Sequence, residues 1–144
     1  MGWDEINQAL GQVVYLLCVL AHRMHYSFEK HVLHVNGAFS KISLEQQRNI
    51  KYELYYVYND SNFNKGMQLL LECIAGFMAF VQPMEQDLVK QDRIKKCAIV
   101  GDKIDSQSII YKQDAKEQWT RACKCMLTNL QYLATISKLR DESA

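Results

Sequence analysis

Residues 3–24, WDEINQALGQVVYLLCVLAHRM, decide the fold because their apolar side chains recur at helical spacing. Intervals of three and four residues place such side chains on one face of an α-helix. The apolar stripe comprises Trp3, Ile6, Leu10, Val13, Leu17, Leu20 and Met24. Between residues 13 and 21 the opposite face is apolar as well, through Val14, Tyr15, Leu16, Cys18 and Val19. We therefore expect this helix to be the most buried element of the fold, with the rest of the chain packed over it.

Length and composition indicate one globular domain. The chain has 144 residues, of which 49% are hydrophobic and 23% charged, values typical of a folded protein. Seventeen basic and sixteen acidic residues leave a net charge of +1, so the chain lacks the overall positive field that holds nucleic acid, and no nucleic-acid partner is predicted. Five cysteines form no disulfide framework and no signal peptide precedes the first helix, which predicts reduced thiols in the cytoplasm.

Short strands are predicted in two groups. Residues 28–35 and 38–42 form a hairpin around the turn at Asn36 and Gly37, and residues 43–51 form a loop with one helical turn. The segment YELYYVY at residues 52–58 is rich in strand-forming side chains and is predicted as a third strand. Residues 94–100 and 107–112 form a second hairpin, broken at Gly101.

Two further helices follow these strand groups. Asn59 and the polar residues after it are able to cap a helix that runs along the stripe from Phe63 to Val81, and Pro83 ends or kinks it. The third helix begins near residue 115, and Trp119 is the largest residue on its apolar face. Its polar face is regular and comprises Glu117, Arg121, Lys124, Thr128, Gln131, Thr135 and Lys138. This pattern predicts a surface helix with one buried side.

The predicted helices are evenly spaced along the chain. They begin near residues 3, 62 and 115, and strands precede the second and third. A regular interval of this size indicates a repeated unit. The fold class is therefore predicted to be α+β, with three repeats of a small antiparallel strand group and a helix, the first repeat lacking its strands.

Two segments carry a resemblance to a known family. The sequence WDEINQALGQ with its apolar helix ending in LAHRM, and EQWTRACKCMLTNL at residues 117–130, resemble the C-terminal evolutionarily conserved domain of the beclin family of autophagy proteins. The resemblance implies that residues 1–144 are a single beclin-type domain, truncated at its N-terminus. An apolar flank of the first helix or a sheet edge should then be uncovered, which predicts possible self-association.

The resemblance also points to Tyr55, Tyr56, Val57 and Tyr58 as membrane-binding residues. In the beclin family an aromatic finger at the matching place inserts into lipid, whereas this chain has tyrosines and a valine where phenylalanine and tryptophan are usual. Tyrosine has an apolar ring and a polar hydroxyl, which suits the membrane interface. The alternative is that alternate members of the segment pack in the sheet.

Basic side chains are candidates for contact with an anionic surface. Arg48, Lys51 and Lys65 flank the tyrosines in sequence, and a second run comprises Lys90, Arg93, Lys95 and Lys96. Each such residue near an anionic membrane adds about 1 kcal/mol of attraction. The alternative is an ordinary solvated surface.

Neither a metal site nor a cofactor is predicted. Cys18, His22 and His25 share a helical face, but two histidines near a helix end beside a core thiol explain the same pattern. Cys123 and Cys125 diverge on a helix because neighbours two apart do not face each other. The chain shows no glycine-rich phosphate loop, nucleophile with a base, or paired carboxylates, so we expect it not to be an enzyme.

The resemblance implies a non-catalytic scaffold subunit of a class III phosphatidylinositol 3-kinase complex, acting in autophagy and in endosomal and vacuolar sorting. Its partners would be the other subunits of that complex and a lipid membrane surface. It would be cytoplasmic and peripheral on autophagic and endosomal membranes. The alternative function is a protein-interaction module without a membrane role, in which the tyrosines bind a partner. An enzyme acting on small molecules would instead need a deep polar pocket.

Overall fold

The structure, a computed structural model, describes residues 2–88 and 95–143. These residues contain three α-helices and six short strands. The helices are α1 (Trp3–Arg23), α2 (Asp60–Leu88) and α3 (Lys116–Ser143). The strands form two three-stranded antiparallel sheets, one ahead of α2 and one ahead of α3. The predicted α+β class is confirmed, and the order of sheets and helices is compatible with the predicted repeat.

The first sheet comprises β1 (His31–His34), β2 (Lys41–Leu44) and β3 (Tyr52–Glu53), with β2 in the centre. The buried Ile42 of β2 pairs with Leu33 on one side and Tyr52 on the other. The predicted hairpin is confirmed, but β2 begins at Lys41 instead of Ala38. Residues Gly37–Phe39 form a single 3-10 turn that packs against α1, so the strand begins only after this turn.

The predicted third strand over residues 52–58 is wrong beyond Glu53. The Leu54 N–H donates to the carbonyl of Ser40 at 2.9 Å, and the Leu54 side chain is fully buried. After Leu54 the chain leaves the sheet. The strand propensity of this segment is overridden because the backbone of Tyr56 forms two hydrogen bonds with Asn7 of α1, as described below.

The second sheet comprises β4 (Ile99–Val100), β5 (Lys103–Ile104) and β6 (Gln107–Ser108), with β5 in the centre. The predicted hairpin joined residues 94–100 directly to 107–112 and missed β5. Its first strand is also shorter, since residues 95–98 lie outside any strand and Ile94 lies outside the described residues. The predicted break is present at Gly101, whose φ of +63° suits a residue without Cβ. A second tight turn follows at Asp105 and Ser106. The two turns limit each strand to two residues, which is too short to show a period in the sequence.

Helix α2 begins where the polar residues predicted, but it is longer than predicted. The Asn62 N–H donates to Oδ1 of Asn59 at 3.2 Å, so Asn59 caps the helix. Pro83 lies inside α2 and does not end it. Beyond the proline, Met84 packs against the core and Glu85 pairs with Lys96 at 2.6 Å. These contacts offset the hydrogen bond that proline removes.

The centre of the core is α2, which corrects the expectation that α1 is the most buried element. Helix α2 contacts α3 and two strands of the first sheet. Its buried hydrophobic residues are Phe63, Met67, Leu69, Leu70, Leu71, Cys73, Ile74, Phe77 and Val81. The predicted stripe of α1 does face the core, but Tyr15 is 62% exposed and Leu16 37%. Within the described residues, no element covers that flank of α1.

Residues 60–85 of α2 are also long and apolar enough to cross a membrane by length and composition. A core helix of a globular domain has the same properties. Here α3 and the first sheet pack on α2, so its apolar surface is accounted for by the core.

Helix α3 has the predicted amphipathic character. Trp119 is 5% exposed, and the predicted polar face points to solvent or is half-buried. Leu127, which the spacing of apolar residues also places on the apolar face, is 51% exposed, so that part of the prediction is wrong. At 3.6 residues per turn Leu127 lies about 100° around the helix from the buried Met126, whereas Tyr132 and Ile136 are buried.

Candidate functional site

The tyrosine segment, residues 55–58, forms a loop between β3 and α2 and is divided between packed and exposed side chains. Tyr58 is 88% exposed and Val57 is 53% exposed. Tyr55 and Tyr56 are half-buried. Of the four predicted membrane-binding residues, Val57 and Tyr58 are therefore exposed to solvent, and Tyr55 and Tyr56 only in part.

Tyr56 belongs to a cluster of five rings that joins the three helices. Its ring stacks on Trp3 with 4.2 Å between centroids and meets Phe63 and Tyr111 edge-on at 5.5 and 5.4 Å. Trp119 completes this aromatic cluster at 5.4 Å from Tyr111. The alternative stated above, packing of part of the segment, holds for Tyr56, although it packs on helices and not in a sheet.

The side chain of Asn7 holds the backbone of Tyr56 in place. Its Oδ1 accepts from the Tyr56 N–H at 2.8 Å, and its Nδ2 donates to the Tyr56 carbonyl at 3.2 Å. Asn7 is 9% exposed, so these bonds form where water competes weakly. The loop is thus fixed to α1 behind its exposed tip.

The same arrangement recurs once in each of the other helices. Asn64 of α2 accepts from the Tyr111 N–H at 2.7 Å and donates to its carbonyl at 3.0 Å. Asn129 of α3 makes the same pair of bonds with the backbone of Cys97, at 2.7 and 3.0 Å. An asparagine amide offers one acceptor and two donors, which match a residue's N–H and carbonyl. Sequence reasoning missed these residues because their partners are 32 to 49 positions away.

The exposed end of the segment is held in a constrained conformation. The hydroxyl of Tyr56 is hydrogen-bonded to the Asp60 carboxylate. This bond, and to a smaller extent burial, raises the pKa of Tyr56 to about 12.

The backbone of Tyr58, at the exposed end, has a φ of +60°, in the left-handed region. A non-glycine residue in a sparsely populated backbone region costs about 1 to 3 kcal/mol, and such residues cluster at functional sites. The loop therefore directs the Tyr58 side chain outward at a cost in stability.

A further exposed aromatic residue lies beside the segment. The ring of Phe39 meets Tyr55 edge-on at 5.4 Å and is 62% exposed. Phe39 was expected in a strand and carried no signal of its own in the sequence. It extends the apolar surface next to Tyr55.

The basic residues around the segment differ in how far their charges are compensated. Arg48 donates two hydrogen bonds to Glu45, at 3.0 and 2.9 Å, so its charge is compensated locally. Lys51 and Lys65 are exposed. In the second run Lys95 is exposed and Lys96 pairs with Glu85, while Lys90 and Arg93 lie outside the described residues.

The structure does not assemble Cys18, His22 and His25 into a metal-binding group, as judged over residues 2–88 and 95–143. Helix α1 ends at Arg23, and His25 follows with a φ of +54°. The helical spacing on which their alignment depended stops before His25.

Comparison with known proteins identifies the family to which this chain belongs. The chain matches the Apg6 BARA domain over residues 1–139. It is 32% identical over 144 residues to the Beclin-1-like protein of Drosophila melanogaster, covering 95% of this chain and 34% of that protein. Beclin-1 of Xenopus tropicalis is 32% identical over 149 residues, covering 94% and 33%. Beclin-1-like protein A of Dictyostelium discoideum is 30% identical over 142 residues, covering 90% and 10%. The chain spans about a third of the first two relatives. It belongs to the beclin family and corresponds to the Apg6 BARA domain of that family.

Proposed function

We propose that this chain is the domain through which a beclin-type subunit engages membranes in autophagy and in endosomal and vacuolar sorting. It acts without catalysis, as part of a class III phosphatidylinositol 3-kinase complex. Its location is cytoplasmic and peripheral on autophagic and endosomal membranes. Family membership supports the process and the complex, and the tyrosine segment supports the membrane contact.

The observation that carries the membrane contact is the exposure of Val57 and Tyr58 at the tip of an anchored loop. An apolar side chain and an aromatic ring with a polar hydroxyl suit the boundary between lipid tails and headgroups. Because Asn7 holds the backbone at Tyr56, the tip needs little further ordering when it binds. The ring of Tyr56 packs in the aromatic cluster in this conformation, so the membrane contact is made by Val57 and Tyr58.

A liposome co-sedimentation assay tests this contact. Replacing Val57 and Tyr58 together by Asp should abolish binding to vesicles of phosphatidylcholine and phosphatidylserine, since a carboxylate loses its hydration at the interface. The melting temperature should stay near that of the wild type, because both side chains are exposed. The matched control is the double replacement of Val100 and Leu127 by Asp. Both are exposed apolar residues, and they lie outside the tyrosine segment.

Ionic strength separates ring insertion from attraction by Lys51 and Lys65. Binding by apolar side chains survives raised salt, whereas binding by exposed lysines is screened. If the Val57 and Tyr58 variant binds vesicles like the wild type, the tyrosine segment is not the contact. If the variant instead loses co-precipitation with kinase-complex subunits while the wild type shows no lipid binding, the chain is a protein-interaction module.

A further inference from the structure

Three potential metal ligands from separate elements meet at one end of the second sheet. They are Cys97, which precedes β4, Asp105, in the turn between β5 and β6, and Cys125, on α3. Their ligand atoms all lie within 4.8 Å of one another, and Cys125 Sγ is 4.0 Å from Asp105 Oδ2. Cys97 is buried, Cys125 half-buried and Asp105 exposed, so the group opens to solvent on the carboxylate side.

The backbones that carry these ligands are fixed relative to one another. Asn129, one turn beyond Cys125 on α3, holds both the N–H and the carbonyl of Cys97. The Asp105 N–H donates to the carbonyl of Ala98 at 2.8 Å, next to Cys97. Asp105 and Ser106 have φ values of +51° and +66°, as in a two-residue type I′ turn. The three side chains are therefore positioned by hydrogen bonds between separate segments of the chain, and not by the conformation of one loop.

The ligand chemistry selects among metals. Thiolates favour zinc, copper(I) and iron–sulfur clusters, and a carboxylate beside them favours zinc over copper(I). Zinc binds sulfur at about 2.3 Å and carboxylate oxygen at about 2.0 to 2.2 Å, so its tetrahedral ligands lie about 3.5 to 3.8 Å apart. Small side-chain rotations would bring the three groups from within 4.8 Å to that separation. Two thiolates and a carboxylate would leave a zinc complex with one net negative charge.

We propose that Cys97, Asp105 and Cys125 form a zinc site with three protein ligands and one position open to water. The site would join the segment before β4, the turn between β5 and β6, and α3. It would therefore stabilise the second sheet against α3. Sequence reasoning missed it because the ligands are 8 and 20 residues apart and match no short metal-binding motif.

Cobalt(II) titration of the whole chain, reduced with a phosphine and freed of metal, tests the site. One equivalent of Co²⁺ should produce visible bands of tetrahedral cobalt and a near-ultraviolet charge-transfer band from bound thiolate. One equivalent of Zn²⁺ should remove both and raise the melting temperature. Cys125→Ser should abolish the charge-transfer band. Asp105→Asn should weaken Co²⁺ binding by about tenfold or more, since changes to the outer shell alone cost about 10- to 100-fold in affinity.

Cys123→Ser is the matched control, since it changes a thiol two residues from Cys125 that is not in the group. It should leave the cobalt bands unchanged. Asp105 is exposed in a turn, so Asp105→Asn gives a result even if Cys125→Ser folds poorly. The absence of a charge-transfer band in the wild type, its persistence in folded Cys125→Ser, or unchanged affinity in Asp105→Asn would overturn the assignment.

Discussion

Helix α1 approaches the turn after β1 so closely that a Cβ on Gly11 would lie 2.1 Å from the carbonyl oxygen of Gly37. Real Cβ atoms do not come within 3.0 Å of such an atom. Gly11 therefore allows the backbone of the 3-10 turn to lie directly on the helix. The contact orients the first sheet relative to α1.

Gly11→Ala should destabilise the protein although alanine favours helices. Helix propensity alone would add about 1 kcal/mol of stability, but forcing the turn away from α1 should lower the free energy of unfolding by about 1 to 3 kcal/mol or more. Urea denaturation measures the difference. Gly76→Ala is the control in α2, where a Cβ would meet only the end of the Tyr26 side chain at 3.2 Å. Equal effects of the two substitutions would contradict the close approach.

Asn7→Ala should release the loop that carries the tyrosine segment. It removes two hydrogen bonds and leaves the N–H and carbonyl of Tyr56 without the Asn7 amide, at a cost of about 1 to 3 kcal/mol. Amide hydrogen exchange at residues 55–58 should speed up. Gln8→Ala changes an exposed neighbour on the same helix and should alter neither property. Unchanged exchange in Asn7→Ala would show that the aromatic cluster alone holds the loop.

Trp119→Ala should remove the α3 member of the aromatic cluster. Truncation of a packed tryptophan costs about 3 to 5 kcal/mol, a large part of the roughly 5 to 15 kcal/mol that stabilises a domain. Thermal melting should show poorly folded protein. Leu127→Ala, on the same helix and 51% exposed, should lie within about 0.5 kcal/mol of the wild type. Wild-type melting of Trp119→Ala would mean that the ring does not support the core in solution.

Acid should destabilise the first sheet through His34. Burial, and then the nearby cations Lys51, Arg48 and Lys41, lower the pKa of His34 below its ordinary value. The unfolded chain therefore binds a proton more readily than the folded one. Stability is full above about pH 6.5 and is lost as pH falls through the lowered pKa.

His34→Gln should reduce this loss of stability. Melting temperatures between about pH 7.5 and pH 5 measure it, above the range where carboxylates titrate. His31 lies on the same strand and has its pKa lowered mainly by burial, so part of the pH dependence should remain. An identical pH dependence in wild type and His34→Gln would contradict the assignment.

The uncovered flank of α1 should promote self-association. Tyr15 and Leu16 are exposed, and Val35 lies with Tyr15 along the same shallow groove. Light scattering coupled to size-exclusion chromatography should show a species larger than a monomer at high concentration. Tyr15→Glu should shift the equilibrium toward the monomer, since it places a charge on the flank. A clean monomer at every concentration would show that this surface does not pair.

The periodic features of the chain were predictable because they depend on neighbours within one or two turns. The stripes of α1 and α3, the cap at Asn59 and the alternation of strands with helices all express local geometry. The burial of Trp119 followed from its position on an apolar face. The family resemblance also rested on contiguous residues.

Other features of the fold and of the candidate sites depend on contacts between residues that are distant in sequence, and only the tertiary structure determines them. The backbone of Tyr56 left the sheet because Asn7 offers it two hydrogen bonds from 49 residues away, and α2 continued past Pro83 because Met84 and Glu85 have contacts beyond it. Cys97, Asp105 and Cys125 likewise meet only when β5 and α3 are packed together. Local periodicity reports which face of an element is apolar, whereas the choice among competing hydrogen bonds and the meeting of separate side chains are determined only once the elements are packed.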